Sequence, residues 1–208
     1  MAILKLLINI SLLFTAIVAI PVDNNSRNDS HVAVNYRLPD IVTPVYYNIK
    51  LIPYIEVDNF TFDGEISANI TIRRTTSDLS LHALELIIDE AATSLFDNEG
   101  IDHKPATYNY NNITQILVLN FNDELLPGNY TLKMNYVGIL NDDLQGFFRT
   151  SYIEKGKKVW LAASHFEATW ARRAFPCWDE PALKATFDIS INIIRITRLY
   201  QICRYGNN

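Results

Sequence analysis

Between Gly64 and Arg74 apolar and polar residues alternate without a break. Ile66, Ala68, Ile70 and Ile72 fall on one side, and Glu65, Ser67, Asn69, Thr71 and Arg73 on the other. Successive side chains of an extended strand point to opposite faces, so this spelling predicts a half-buried β-strand rather than an amphipathic helix. Asn129 to Val137 repeats the pattern, with Tyr130, Leu132, Met134 and Tyr136 set against Asn129, Thr131, Lys133 and Asn135. Further strands are expected at Val45 to Val57, Ser80 to Asp89, Ile116 to Phe121, Gly146 to Ile153, Lys158 to Ala163 and Ala185 to Asn192. Pro127-Gly128 ends the loop ahead of the strand at Asn129. Only Thr169 to Ala174 suggests a short helical turn. Many short strands broken by turn residues predict an all-β domain, an antiparallel saddle-shaped sheet or sandwich.

The two ends read differently. Leu6 to Ile20 is apolar except for Asn9, Ser11 and Thr15, follows Lys5, and reaches the small residue Ala19. That pattern predicts a secretory signal peptide over residues 1–19. The run is shorter than the about 20 residues that a membrane span requires. Residues 20–35 are polar and read as a flexible lead-in, and residues 36–192 as the folded domain. From Ile193 the alternation is lost, so residues 193–208 are expected to be an atypical tail of the kind a truncated end leaves.

Asn-x-Ser/Thr occurs at Asn24, Asn28, Asn59, Asn69, Asn112 and Asn129, and again at Asn9 within the leader. About two would arise by chance from this content of Asn, Ser and Thr, so the excess points to an exported glycoprotein. Asn69 and Asn129 both lie on the polar side of their strands, as a sugar requires. The expected location is secreted, or on the extracellular face of the plasma membrane. Any membrane attachment would come from a C-terminal anchor outside this chain.

A hydrophobic content of 49% supplies a real core, and a net charge of −5 gives no reason to expect nucleic acid as a partner. Two cysteines, Cys177 and Cys203, are too few for a disulfide framework; Cys177, between Pro176 and Trp178, reads as a buried thiol. The histidines are His31, His82, His103 and His165. No pair has the i, i+4 spacing of H-E-x-x-H, and no set has the spacing of a zinc site. G-x-S-x-G, the P-loop and G-x-G-x-x-G are also absent. From residue chemistry alone this is a β-domain without its own active site or bound metal. Its densest segment is His165 to Phe187, rich in aromatics, proline and paired charges. Within it Asp179-Glu180-Pro181 reads as a capped turn, and Arg172 and Arg173 as structural or solvated.

The segment Ala171 to Phe187 (Ala-Arg-Arg-Ala-Phe-Pro-Cys-Trp-Asp-Glu-Pro-Ala-Leu-Lys-Ala-Thr-Phe) resembles the N-domain signature of the zinc aminopeptidases of the aminopeptidase N type. So, in order, do Tyr36-Arg37-Leu38-Pro39 with Pro44 and Tyr47, Phe62-Asp63-Gly64-Glu65-Ile66, Leu81-His82, and Leu144-Gln145-Gly146-Phe147-Phe148-Arg149. The resemblance covers roughly 36–191. It implies an all-β domain that packs against a separate catalytic domain, where H-E-x-x-H and a downstream Glu hold zinc and peptides are the substrate. Zinc is thus expected in the full-length enzyme and not in this chain. The family's Gln-x-Glu step, whose acidic residue binds the substrate α-amine, is matched here by His165-Phe166-Glu167. The resemblance makes Glu167, with His165 in place of the usual Gln, the substrate-binding candidates; no catalytic residue is expected. Two other readings are a catalytically dead secreted glycoprotein that serves as a binding module, and a non-functional truncation product.

Overall fold

The computed structural model describes residues 34–192. The expected signal peptide, most of the lead-in and the 193–208 tail lie outside the described residues, and with them Asn24, Asn28, His31 and Cys203.

The fold is nearly all strand. β1 (Val42–Glu56), β2 (Asn59–Ile72), β3 (Thr76–His82), β4 (Leu86–Asp97), β5 (Asp102–His103) and β6 (Thr107–Asn111) are followed by β7 (Ile116–Leu125), β8 (Gly128–Ile139), β9 (Gly146–Glu154), β10 (Lys157–His165) and β11 (Thr186–Ile191). A six-stranded sheet has the order β11-β1-β2-β8-β4-β5. A three-stranded sheet has the order β3-β7-β6, and β9 with β10 forms a hairpin of its own. All pairings are antiparallel except that of β11, which joins β1 in parallel and makes the large sheet mixed.

The alternation in β2 and β8 decides which face is dry. Ile66, Ala68, Ile70 and Ile72 are buried, as are Tyr130, Leu132, Met134 and Tyr136. They share one core cluster with Leu79 and Leu81 of β3 and Leu117 and Leu119 of β7, so the small sheet covers the large one. The chain passes between these sheets four times: residues 73–75 carry it from β2 into β3, Ala83 to Glu85 from β3 into β4, residues 104–106 from β5 into β6, and Leu126-Pro127 from β7 into β8. The second passage corrects the expectation of one strand over Ser80 to Asp89. Glu85 takes a left-handed conformation with φ 57°, which ends the ladder and turns the chain to the other sheet. The β9–β10 hairpin is held to the large sheet by rings: Phe147 meets Phe62 edge-on at 5.2 Å, and Trp160 lies 4.9 Å from Phe60.

Gly64 stands opposite Tyr136 and Gly138 opposite Phe62 in the β2–β8 register. Each aromatic ring folds over the glycine across from it, occupying the space a β-carbon would need. The two rings also meet edge-to-face at 6.3 Å. Gly64→Ala or Gly138→Ala is therefore expected to destabilise the domain by about 1–3 kcal/mol through overpacking. Urea denaturation midpoints check this, with Gly128→Ala, where the nearest contacts are at ordinary distance, as the comparison.

Candidate functional site

The segment between β10 and β11 is a loop tied to the core at almost every step. Its only helical element is a 3₁₀ turn at Ala171–Arg173, within the expected 169–174. Arg172 is 7% exposed. Its Nε donates to Asp179 Oδ2 at 3.0 Å, one Nη donates to the Asp179 carbonyl at 3.3 Å, and the other donates to Gln115 Oε1 at 3.0 Å. The planar guanidinium thus binds the side chain and the carbonyl of Asp179 and the β6–β7 turn at once, which a point charge on a lysine stem could not do. The Arg172 carbonyl accepts from the Leu84 amide at 2.9 Å, fixing the β3–β4 passage to the same turn.

Glu180 reaches the start of the domain. Its carboxylate accepts from the Leu38 amide at 2.7 Å and from Arg37 at 3.0 Å. Glu180 is therefore a clamp on a distant segment and Asp179 a clamp within the loop, besides forming the turn in which the sequence placed them. Arg173 pairs with Glu85 at 3.2 Å and with Asp143, and lies over the Trp170 ring. Gly146, with φ 70°, passes so close to Arg173 that a side chain there would meet it. The aminoproximal, glycine-containing and arginine-containing motifs thus form one contiguous structure.

Behind the loop, His82 and Cys177 exchange backbone hydrogen bonds of 2.8 and 3.0 Å. Cys177 is a buried free thiol, and burial pushes its ionisation well up, leaving it inert. His82 is 1% exposed and neither ring nitrogen makes a hydrogen bond of good geometry, although the Tyr36 backbone lies close enough to favour the charged form slightly. Burial, and next the Arg172 charge, lower its pKa to about 4.

His165 and Glu167 are both exposed, on either side of Phe166, whose ring turns inward against Phe175 at 5.8 Å. His165 ends β10 opposite Gly146, and Glu167 opens the turn in which the Trp170 amide donates to the Phe166 carbonyl. The Glu167–Ala168 peptide is cis. Neither side chain has a hydrogen-bond or ion-pair partner among the described residues. They stand on open surface; the recess of about 400 Å³ beside Ile87, Tyr108 and Tyr110 lies elsewhere. Among the described residues no group of three or more His, Cys, Asp and Glu is placed to hold a metal. His82 is in the core, and His103 is bonded to Asp97 at 2.9 Å. What sequence reasoning missed is Gln115, the third partner of Arg172; its φ of 59° and its sequence distance from the loop left no pattern to read.

Two outcomes follow from this packing. Arg172→Leu strands the Asp179 carboxylate and is expected to cost about 3–5 kcal/mol in denaturant-induced unfolding, more than Arg173→Leu, whose partners are half exposed. For His82, the unfolded chain takes up a proton near pH 6.5 and the folded one only near 4, so stability is lost as pH falls across that window. The loss approaches about 3 kcal/mol at the lower end. Thermal unfolding against pH checks it, and His82→Phe should flatten that part of the profile.

Comparison with known proteins agrees with this arrangement. Residues 43–195 match the family described as the Peptidase M1 N-terminal domain. The chain is 37% identical over 158 residues to a puromycin-sensitive aminopeptidase of Caenorhabditis elegans, covering 76% of this chain and 16% of that protein. It is 37% identical over 169 residues to aminopeptidase A of Gloydius brevicauda, covering 80% and 17% respectively. It is 38% identical over 157 residues to the thyrotropin-releasing hormone-degrading ectoenzyme of Homo sapiens, covering 74% and 14%. The chain thus spans about one sixth of the length of these curated relatives. It belongs to the peptidase M1 family and represents that family's N-terminal domain.

Proposed function

We propose that this chain is the N-terminal domain of a secreted or cell-surface zinc aminopeptidase that removes amino-terminal residues from peptides. Its part is scaffold and recognition: Glu167 contacts the substrate α-amine, and His165 lies beside it. One observation carries this reading. Glu167 is an exposed carboxylate without a partner, on a turn whose two flanks are fixed by the β9–β10 hairpin and the Arg172 clamp.

A peptide α-amine has a pKa of about 7.7–8.0 and is largely cationic at neutral pH. A carboxylate on a fixed turn accepts a charge-assisted hydrogen bond from it and sets the register of the first residue. Glu167 stands on open surface, so a second surface is needed to close a site around the amine. The donor set for the family's zinc does not fit the described residues, and the metal belongs to that second surface.

Export is proposed on the leader at 1–19 and the sequon excess. The four sequon asparagines within the described residues, Asn59, Asn69, Asn112 and Asn129, are all exposed, which supports it. No helix among the described residues is long and apolar enough to cross a membrane.

In a full-length enzyme carrying this domain, Glu167→Gln is expected to lower kcat/KM about tenfold or more for peptides with a free amino terminus, since a hydrogen bond to a charged group is worth roughly 1.5–3 kcal/mol. Inhibitors that bind only the metal should be spared, and His165→Gln should be neutral or beneficial. Steady-state kinetics on free and N-acetylated substrates reads this out. An unchanged kcat/KM for free-amine peptides would reduce Glu167 to a structural carboxylate.

A further inference from the structure

Two sequons are folded against each other. In the β2–β8 register Asn69 stands opposite Thr131, and Thr71 opposite Asn129. The Thr131 hydroxyl donates to Asn69 Oδ1 at 3.1 Å, and the Thr71 hydroxyl donates to Asn129 Oδ1 at 2.8 Å. Each sequon's threonine is therefore bonded to the other sequon's asparagine. Both asparagines are exposed, and neither Nδ2 has a partner among the described residues. Asn59 is different: at the tip of the β1–β2 hairpin, its Oδ1 accepts from its own Thr61 at 2.7 Å. Asn112 lies in the turn between β6 and β7.

We propose that Asn69 and Asn129 are one paired N-glycosylation site, both modified in the same molecule and only before β2 and β8 pair. This rests on the export reading above. The donor is an oligosaccharide on a lipid pyrophosphate. The asparagine Nδ2 forms a bond to the anomeric carbon, the bond from that carbon to the pyrophosphate oxygen breaks, the lipid pyrophosphate leaves, and the amide nitrogen gives up one proton. Nδ2 is consumed and Oδ1 is kept, so both threonine–asparagine bonds survive with a sugar on each residue.

The timing follows from position. β2 lies between β1 and β8, and β8 between β2 and β4, so these are interior strands. Asn69 is paired with Tyr46 on one side and Thr131 on the other, and Thr131 is paired with Phe96 beyond it. Side chains two residues apart on a strand are separated by about 6–7 Å, and both threonine hydroxyls are already engaged across the ladder. A transferase cannot gather Asn and Thr of one sequon without pulling a strand from the sheet. Thr131, the hydrogen-bond partner of the Asn69 side chain, lies 62 residues further on, so Asn69 is available well before Thr131 is synthesised. Once attached, two glycans rise from adjacent points on the polar face and keep it from any protein partner.

The full chain expressed in eukaryotic secretory cells gives one arm, with occupancy at each sequon read by mass spectrometry of enzymatically deglycosylated peptides in heavy-oxygen water and by intact mass. Both asparagines are expected to be occupied together, with Asn69→Gln and Asn129→Gln each removing one glycan. In the second arm, unmodified refolded chain is offered to microsomes with the lipid-linked donor. It should gain a glycan at Asn59, whose own Thr61 is already beside it, and none at Asn69 or Asn129, whereas urea-unfolded chain gains all three. Occupied Asn59 and Asn112 with Asn69 or Asn129 bare, or modification of Asn69 or Asn129 in the folded sheet, overturns the paired site and leaves export standing. A retained leader with every sequon bare overturns both.

Discussion

Three parts of the chain that are far apart in sequence meet at Arg172. Its guanidinium holds Asp179 of its own loop and Gln115 from the β6–β7 turn, while its carbonyl holds Leu84 at the passage between sheets. Taking that charge out of water is costly, and the cost is offset only because each guanidinium nitrogen has an acceptor. The same charge helps keep the neighbouring His82 neutral. Without this node the loop that carries Glu167 would keep its ties at Arg173, Cys177 and Glu180 but lose those that fix its 3₁₀ turn to Gln115 and Asp179.

The large sheet provides the ground on which that node is built. β2 and β8 run side by side over their full lengths, with two glycines buried under aromatic rings from the opposite strand. Those rings continue upward to Phe147, so the sheet and the β9–β10 hairpin share one aromatic stack. The hairpin in turn presents His165. A chain of contacts thus runs from the centre of the core to the exposed turn, through packed rings rather than through flexible loop.

Where one face of a strand is buried and the other wet, the sequence states it directly. This is why β2 and β8, and the exposure of Asn69 and Asn129, could be read from spelling alone. The strands β5 and β6 escaped because they are short and largely exposed, so no face is apolar enough to show a period. The break at Ala83 to Glu85 escaped because it contains no glycine or proline; tertiary bonds to Gln115 and Arg172 impose it. At the candidate site, the types and order of Asp179, Glu180 and Arg172 marked a structured loop. Which distant groups they hold depends on topology, and local pattern carries no record of that. Glu167 was legible only through likeness to a family, since an isolated exposed carboxylate has no periodic signature.

The parallel strand at the edge of the large sheet bears on how this domain is made. β11 pairs with β1, and the hydrogen bond from Tyr46 to Asp188 joins residues 142 apart in sequence. A nascent chain emerging from the ribosome can form the β1–β2 hairpin early, but it cannot complete the sheet until residue 191 is clear of the exit tunnel. Contacts of such long separation make closure slow and leave the β1 edge open during synthesis. The clamped loop lies just before β11, so the Glu167 turn and the last strand of the sheet become ordered within the same short interval of translation, after everything beneath them has had time to pack.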